Sequence, residues 1–105
     1  MRITISHNRS KAGMIASIDR SFDQLLRGEA DLPISLAVTE KSWKGSILSF
    51  MLRAKMGLLS TPIKGTVEVT DHDIIVDADL GLVNLILPEN AVREVLGERI
   101  KGLLN

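Results

Sequence analysis

The sequence predicts an α+β domain in which an antiparallel sheet of four to five strands carries two helices on one face, a helix-grip-like arrangement. Two amphipathic segments of helical period lie near the ends of the chain, and segments of alternating apolar and polar residues lie between them. The links between those alternating segments are short, which favours antiparallel hairpins. We predict the order β-α-β-β-β-β-α over residues 1–105, read as a single domain.

The opening residues predict a strand and then a turn. Ile3 and Ile5 alternate with polar residues, which is typical of a short strand. The polar stretch at residues 7–10 follows as a turn, and either Asn8 or Ser10 is available to cap a helix.

The first helix is predicted from Ser10 to Arg27, because apolar residues recur there at intervals of three and four. One side of this helix would carry Met14, Ile15, Ile18, Phe22, Leu25 and Leu26. Gly28 is suited to end the helix in a left-handed conformation. We expect a loop from Glu29 to Pro33.

The middle of the chain predicts a run of strands, which cover residues 34–39, 47–52, 63–70 and 73–80. Residues 40–45 are predicted to turn the chain. Residues 56–62 contain Gly57 and Pro62, so we expect regular pairing to break or bend there. Asp71 and His72 fit a tight turn between the last two strands.

The closing segment predicts a second helix. Pro88 fits its first turn, and Glu89 is favourable near the positive end of the helix dipole. The apolar stripe of this helix would be Val92, Val95, Leu96, Ile100, Leu103 and Leu104.

Composition excludes several classes of function. Thirteen basic and thirteen acidic residues cancel, so no overall field attracts nucleic acid or an anionic membrane. The absence of cysteine excludes disulfides, thiolate metal sites and a cysteine nucleophile, and it fits a reducing compartment. Phosphate-binding loops, dinucleotide fingerprints, nucleophile elbows and zinc-protease motifs are all missing from the sequence. We therefore expect a protein that is not an enzyme, holds no cofactor and binds no nucleic acid.

No segment has the features of a targeting signal, and no apolar run approaches the roughly 20 residues that span a bilayer. We expect a cytoplasmic protein without a transmembrane segment. The acidic residues near the last strands do not predict a metal site either, because Ile75 and Val76 stand where a calcium loop needs an oxygen ligand and a glycine.

Charge is unevenly distributed along the chain. One run is basic and contains no acid, comprising Lys41, Lys44, Arg53, Lys55 and Lys64. The next run is acidic and contains no lysine or arginine, comprising Glu68, Asp71, Asp73, Asp77 and Asp79. The simplest interpretation is two solvated strand faces that attract each other across the sheet. The alternatives are a basic patch for an anionic partner, or a head-to-tail contact between copies.

Several features recur together in order and spacing over nearly the whole chain. They are the first strand ending at His7, the motif Trp43-x-Gly45, the apolar strand through Leu48 and Phe50, Gly57, the motif Gly65-x-Val67-x-Val69-Thr70-Asp71, and the pair Asp79-Leu80. In these the chain resembles the polyhydroxyalkanoic acid system family, small proteins of the polyhydroxyalkanoate granule region. Gly81 departs from the family pattern, since a proline often follows the Asp-Leu pair there.

The resemblance implies a bacterial, cytoplasmic protein whose gene lies beside those for storage-polyester synthesis and granule proteins. It carries no catalytic activity over to this chain. It implies a partner in the granule polymer or in granule-associated proteins, and the protein itself could be granule-associated.

Two polar or aromatic residues are candidates for ligand or partner binding. His7 ends a strand beside a helix start, where its ring could contact a ligand. The structural alternative, which we favour, is that the ring braces the start of the helix. Trp43 lies in a predicted turn and could stack on a ligand or anchor a partner. We favour a structural role as a lid over the end of the core.

Apolar residues on the polar side of the predicted sheet are the most informative feature. Ala37, Ile47, Met51 and Ile75 fall opposite the core stripe, and Met56, Leu58 and Leu59 crowd the bend nearby. Such a surface often marks an interface, a lipid-like ligand or a polymer. We expect it to bind the granule surface or its proteins. The alternatives are a carrier that grips an acyl or lipid-like ligand between helix and sheet, a homodimer with a structural role, or a loop that folds back over scattered apolar positions.

Overall fold

The computed structural model describes residues 1–26, 35–85 and 88–102. These residues form the strands and helices in the predicted order, and they add one short 3-10 helix that the sequence did not predict. The strands are β1 (Arg2–Ser6), β2 (Ser35–Lys44), β3 (Ile47–Met56), β4 (Leu59–Val69) and β5 (Asp73–Asp79). The helices are α1 (Lys11–Leu26) and α2 (Glu89–Gly102), and the 3-10 helix is Gly81–Leu85.

The five strands make one sheet in the order β1-β5-β4-β3-β2, and every neighbouring pair is antiparallel. The predicted α+β fold is therefore confirmed. The last four strands form a meander, while α1 carries the chain from the β1 edge of the sheet to the β2 edge. Both helices contribute to one core against the same face, which we call the inner face; the opposite face is the outer face.

Two connections differ from the sequence-based expectation. β2 continues through Lys44, and only Gly45 and Ser46 turn the chain, with a φ of 62° at Gly45. Pairing also does not break in the expected bend, because Met56 pairs with Leu59 around a two-residue turn in which Gly57 has a φ of 63°. Left-handed backbone at the first turn residue suits a tight hairpin and favours glycine.

Pro62 is accommodated inside β4 for a topological reason. It lies opposite Arg53 of β3, while the pairing of β4 with β5 begins only at Lys64. The proline nitrogen therefore points to a stretch of strand edge that has no ladder partner among the described residues, so the missing N–H costs no sheet hydrogen bond with them.

The core lies between the inner face and the two helices. Its most completely buried large side chains are Met14, Leu48, Val69, Ile74 and Val83. Ser10 caps α1 by accepting a hydrogen bond of 3.0 Å from the Gly13 N–H, as one of the two expected caps. At the start of α2 the Pro88 carbonyl accepts from the Ala91 N–H at 3.0 Å.

Gly65 allows an aromatic ring to lie against the sheet. A Cβ at this position would lie 2.5 Å from the Phe50 ring and 2.6 Å from the Asp77 carbonyl oxygen. The Phe50 ring in turn packs on Phe22 of α1, with centroids 5.3 Å apart. Glycine is therefore required in β4 by close packing between helix, ring and backbone.

Several predicted features lie outside the described residues. They are the end of the first helix at Gly28, the loop from Glu29 to Pro33, and the apolar positions Leu103 and Leu104. The side chains of Leu25 and Leu26 also lie outside this description. In the described part of α2, Val92 and Ile100 are buried, as the apolar stripe predicts.

Candidate functional site

The outer face carries the apolar residues that alternation placed opposite the core. Ala37 is exposed, Ile47 is 39% exposed, and Met51 and Ile75 are half-buried. The alternation that turns them outward also turns Leu48, Phe50 and Leu52 inward, where they are buried.

Polar residues interrupt this apolar surface at the centre of the sheet. In one row across the strands, Met51 lies between the acidic Glu40 of β2 and the basic Lys64 of β4. Ile47 lies between Lys44 and Glu68. A row of hydroxyls runs between these two rows and is formed by Ser42, Ser49 and Thr66. A depression of about 340 Å³ lies here, lined by five polar residues together with Phe50, Met51 and Gly65. The centre of the outer face is therefore a mixed surface.

Exposed leucines gather at one end of the sheet. Leu58 lies in the β3–β4 turn and is fully exposed (105%), and Leu59 beside it is 51% exposed. Leu82 and Leu85 of the 3-10 helix are 47% and 80% exposed. We call these four residues the leucine tip.

Gly81 brings the 3-10 helix to the start of β4. Its φ is 54°, and a Cβ on it would lie 3.4 Å from Thr61 Oγ1 and 3.5 Å from the Pro62 carbonyl oxygen. Since Thr61 and Pro62 directly follow Leu59 and Ser60 in β4, this contact places both leucine pairs at the same end of the molecule. Leu82 and Leu85 are not part of the surface that the sequence predicts. The available signal was the apolar character of residues 82–87, which follow a glycine and have neither strand nor helix period.

Met56 does not belong to the leucine tip. Its side chain is only 8% exposed and lies in the core. The reason is that β3 stays regular up to the turn, so Met56 shares the inward phase of Leu52 and Ala54.

Basic residues lie beside the leucine tip on the outer face. Arg53 stands opposite Pro62 and Lys55 opposite Ser60, and Lys64 follows along β4. Arg53 Nη1 donates a hydrogen bond of 2.9 Å to Ser60 Oγ. The chain contains no acid from Lys41 to Val67, so this part of the hairpin is entirely basic.

Acidic residues occupy the opposite end of the sheet, around the β4–β5 turn, where Asp71 and Asp73 lie. In the middle of the sheet Lys64 stands opposite Asp79, and Arg2 stands opposite Asp77. The outer face is therefore basic beside the leucine tip and acidic around the β4–β5 turn. Leu59 itself stands opposite Met56 and so has the inner-face phase.

His7 is a buried structural residue with both ring nitrogens in use. Nδ1 accepts a hydrogen bond of 3.2 Å from the Arg9 N–H, which assigns the proton to Nε2. Nε2 then donates to the Thr70 carbonyl oxygen at 2.8 Å. The His7 N–H also donates to the His72 carbonyl oxygen at 2.8 Å. The ring joins the end of β1 to the β4–β5 turn and leaves neither nitrogen for a ligand in this arrangement.

Trp43 lies in β2, not in a turn, and its half-buried ring packs against the core. Its Nε1–H donates a hydrogen bond of 2.9 Å to Asp19 Oδ1 of α1. Lys41 Nζ lies 3.0 Å from the same oxygen. Hydrogen bonds from Lys41 and then Trp43 lower the pKa of the Asp19 carboxyl below its ordinary value. This cluster joins α1 to the edge strand.

Three further observations on the described part of the chain concern a metal site, a membrane-spanning helix and a site for an acyl ligand. No group of three or more His, Asp or Glu residues in this part of the chain is arranged to hold a metal ion. Neither α1 nor α2, as far as each is described, is long and apolar enough to cross a membrane. Met14, Leu48, Val69 and Ile74 are almost fully buried where an acyl ligand would have to enter between helix and sheet.

Comparison of the chain with protein-family models, with curated proteins and with solved structures finds no match. The resemblance to the polyhydroxyalkanoic acid system family therefore stays a prediction, based on the order and spacing of the residues named above.

Proposed function

We propose that this protein is a non-enzymatic accessory protein of the bacterial polyhydroxyalkanoate storage system that binds the hydrophobic granule surface through the leucine tip. The resemblance suggests the system, and the exposed leucines suggest the surface. The observation that carries the proposal is the full exposure of Leu58, with three further exposed leucines at the same end of the sheet.

The leucine tip is suited to a polymer surface because Leu58 and Leu85 are largely exposed and Leu59 and Leu82 are about half exposed beside them. Complete burial of a leucine side chain contributes about 2 kcal/mol, so a few leucines entering an apolar surface give useful affinity after the cost of association. The basic residues Arg53, Lys55 and Lys64 would add attraction to any anionic groups on that surface.

The test is co-sedimentation of the purified protein with polyhydroxyalkanoate granules, with bare liposomes as the comparison surface. We expect selective binding to granules. Leu58→Asp should abolish it, because a carboxylate would have to enter the apolar surface. The change should leave the fold intact, since Leu58 makes no buried contact in the monomer.

Met51→Asp and Ile47→Asp are the matched controls, because they place the same charge on the outer face away from the leucine tip. Loss of binding with Leu58→Asp alone supports the leucine tip. Loss with Met51→Asp or Ile47→Asp alone moves the binding surface to the sheet centre. Equal binding to liposomes would contradict granule selectivity, and full binding by every variant would contradict an apolar contact.

A further inference from the structure

One side of the edge strand β2 has no pairing partner among the residues that the structure describes. There β2 pairs with β3 only, and its register shifts between Val38 and Glu40, which marks a β-bulge at Thr39. Beyond the bulge, Glu40 to Lys44 pair with β3 in regular register. An exposed edge of this kind is a template for pairing with another strand.

The alternation of ladder hydrogen bonds shows which backbone groups lie along this free edge. Lys44 and Ile47 flank the two-residue turn, so they exchange hydrogen bonds with each other. Residues that hydrogen-bond to β3 recur at every second position, so the backbone groups of Ser42 also point toward β3. Those of Lys41 and Trp43 therefore point away from the sheet, and none of the hydrogen bonds found among the described residues uses them.

We propose that two copies of this chain associate through their β2 edges, antiparallel about a two-fold axis at Ser42, to make one continuous sheet. In this register Lys41 stands opposite the partner's Trp43, and Trp43 opposite the partner's Lys41. All four residues direct their backbone groups outward, so each pair exchanges hydrogen bonds. The bulge at Thr39 ends the pairing on one side of the segment and the Gly45 turn ends it on the other.

Charge favours this register over an axis at Lys41 or Lys44, which would oppose like charges, and over an axis at Trp43, which would leave Glu40 and Lys44 without each other. The axis at Ser42 places Glu40 opposite the partner's Lys44, twice in the dimer, on the outer face. Opposite charges in such cross-strand positions stabilise a sheet, and like charges destabilise it. An axis at Lys41 would place Lys41 opposite the partner's Lys41. An axis at Lys44 would place Lys44 opposite the partner's Lys44. Only a short segment takes part, so the dimer is expected to be weak and concentration-dependent.

The dimer is independent of the proposed granule binding. A two-fold axis perpendicular to the sheet keeps both outer faces on one side and both helical layers on the other. The leucine tips then point away from each other, and neither is covered by the contact.

The test is sedimentation velocity at low salt, over protein concentrations from micromolar to millimolar. The wild-type chain should show a reversible monomer–dimer equilibrium. Glu40→Lys places a lysine opposite the partner's Lys44, twice in the dimer. This repulsion should weaken dimerisation on the order of tenfold. Lys44→Glu should do the same with carboxylates. The double variant Glu40→Lys/Lys44→Glu restores both opposite-charge pairs and should recover the dimer.

Glu94→Lys is the control, because it makes the same change of charge on an exposed position of α2, a helix that contacts β1 at the other edge of the sheet. It should leave the equilibrium unchanged. A chain that stays monomeric at millimolar concentration would overturn the proposal. A dimer that both single variants form at full strength would also overturn it, as would a double variant that is no better than the single ones.

Discussion

Asp19 Oδ1 accepts a hydrogen bond of 2.9 Å from Trp43 Nε1 and lies 3.0 Å from Lys41 Nζ. One carboxylate of α1 is thereby joined to two side chains of the edge strand. Lys41 also lies over the Phe22 ring, with Nζ 6.0 Å from the centroid. The contact explains how α1, which leaves the far edge of the sheet after β1, is held against β2.

The Asp19 contact predicts a dependence of stability on pH. Because hydrogen bonds from Lys41 and Trp43 lower its pKa in the folded chain, the charged carboxylate contributes stability at pH values above its ordinary pKa of 3.8. This contribution is lost as the pH falls through the lower, folded-state pKa. Asp19→Asn keeps an oxygen for Trp43 but removes the charge. It should lower the melting temperature at neutral pH and have a smaller effect in strong acid.

Thermal melting of the wild type and Asp19→Asn at several pH values measures this difference. Asp71, an exposed aspartate in the β4–β5 turn and outside this cluster, is the carboxylate for an Asp→Asn control. A difference in melting temperature that stayed constant down to strong acid would contradict a role for the charge.

His7 predicts a loss of stability from two hydrogen bonds removed together. His7→Leu would leave the Thr70 carbonyl and the Arg9 N–H without the ring as partner. Each unsatisfied group costs about 1 kcal/mol or more, so we expect a loss of about 2–3 kcal/mol in the free energy of unfolding. Urea denaturation measures it. Asn8→Ala, at the exposed neighbouring position, should change the free energy by less than about 0.5 kcal/mol.

Gly65 predicts a steric effect on stability. Gly65→Ala would place a Cβ 2.5 Å from the Phe50 ring and 2.6 Å from the Asp77 carbonyl oxygen. The sheet backbone cannot move freely away, so we expect a loss of about 1–3 kcal/mol in the free energy of unfolding. Shortening the ring with Phe50→Leu should rescue Gly65→Ala only in part, because the clash with the Asp77 oxygen remains. Full rescue would assign the whole cost to the ring.

Replacing Gly97 with alanine should change the free energy of unfolding in the opposite direction from Gly65→Ala. Gly97 lies inside α2, its φ is not in the left-handed region, and a Cβ there would meet nothing within 4 Å. Gly97→Ala should therefore raise the free energy of unfolding by about 0.5–1 kcal/mol, through the helix propensity of alanine and the reduced freedom of the unfolded chain. Urea denaturation of both glycine variants under one set of conditions provides the comparison. A destabilised Gly97→Ala would indicate a contact of α2 that involves this position.

The face of the sheet that each residue of β3 occupies could be predicted from the sequence. Side chains alternate along a strand, and only one face is covered by helices, so the apolar set Leu48, Phe50 and Leu52 had to be the buried one. The same alternation identified Ile47 and Met51 as outer-face residues. The orientation of Trp43 could not be predicted in this way. Alternation from Leu36 and Val38 would turn it outward, but the bulge at Thr39 shifts the phase and turns Lys41 and Trp43 inward.

For the leucine tip, too, some features could be predicted from the sequence and others depend on the tertiary structure. The sequence by itself determined that Leu58 and Leu59 lie near a chain reversal and that a basic run surrounds them, because composition and strand period are local properties. Only the tertiary structure decided that Met56 is buried and that Leu82 and Leu85 join the tip. These depend on a tight turn that keeps β3 in phase and on the contact of Gly81 with β4. Contacts between residues that are distant in the chain are set by packing, so the residue pattern of one segment does not predict them.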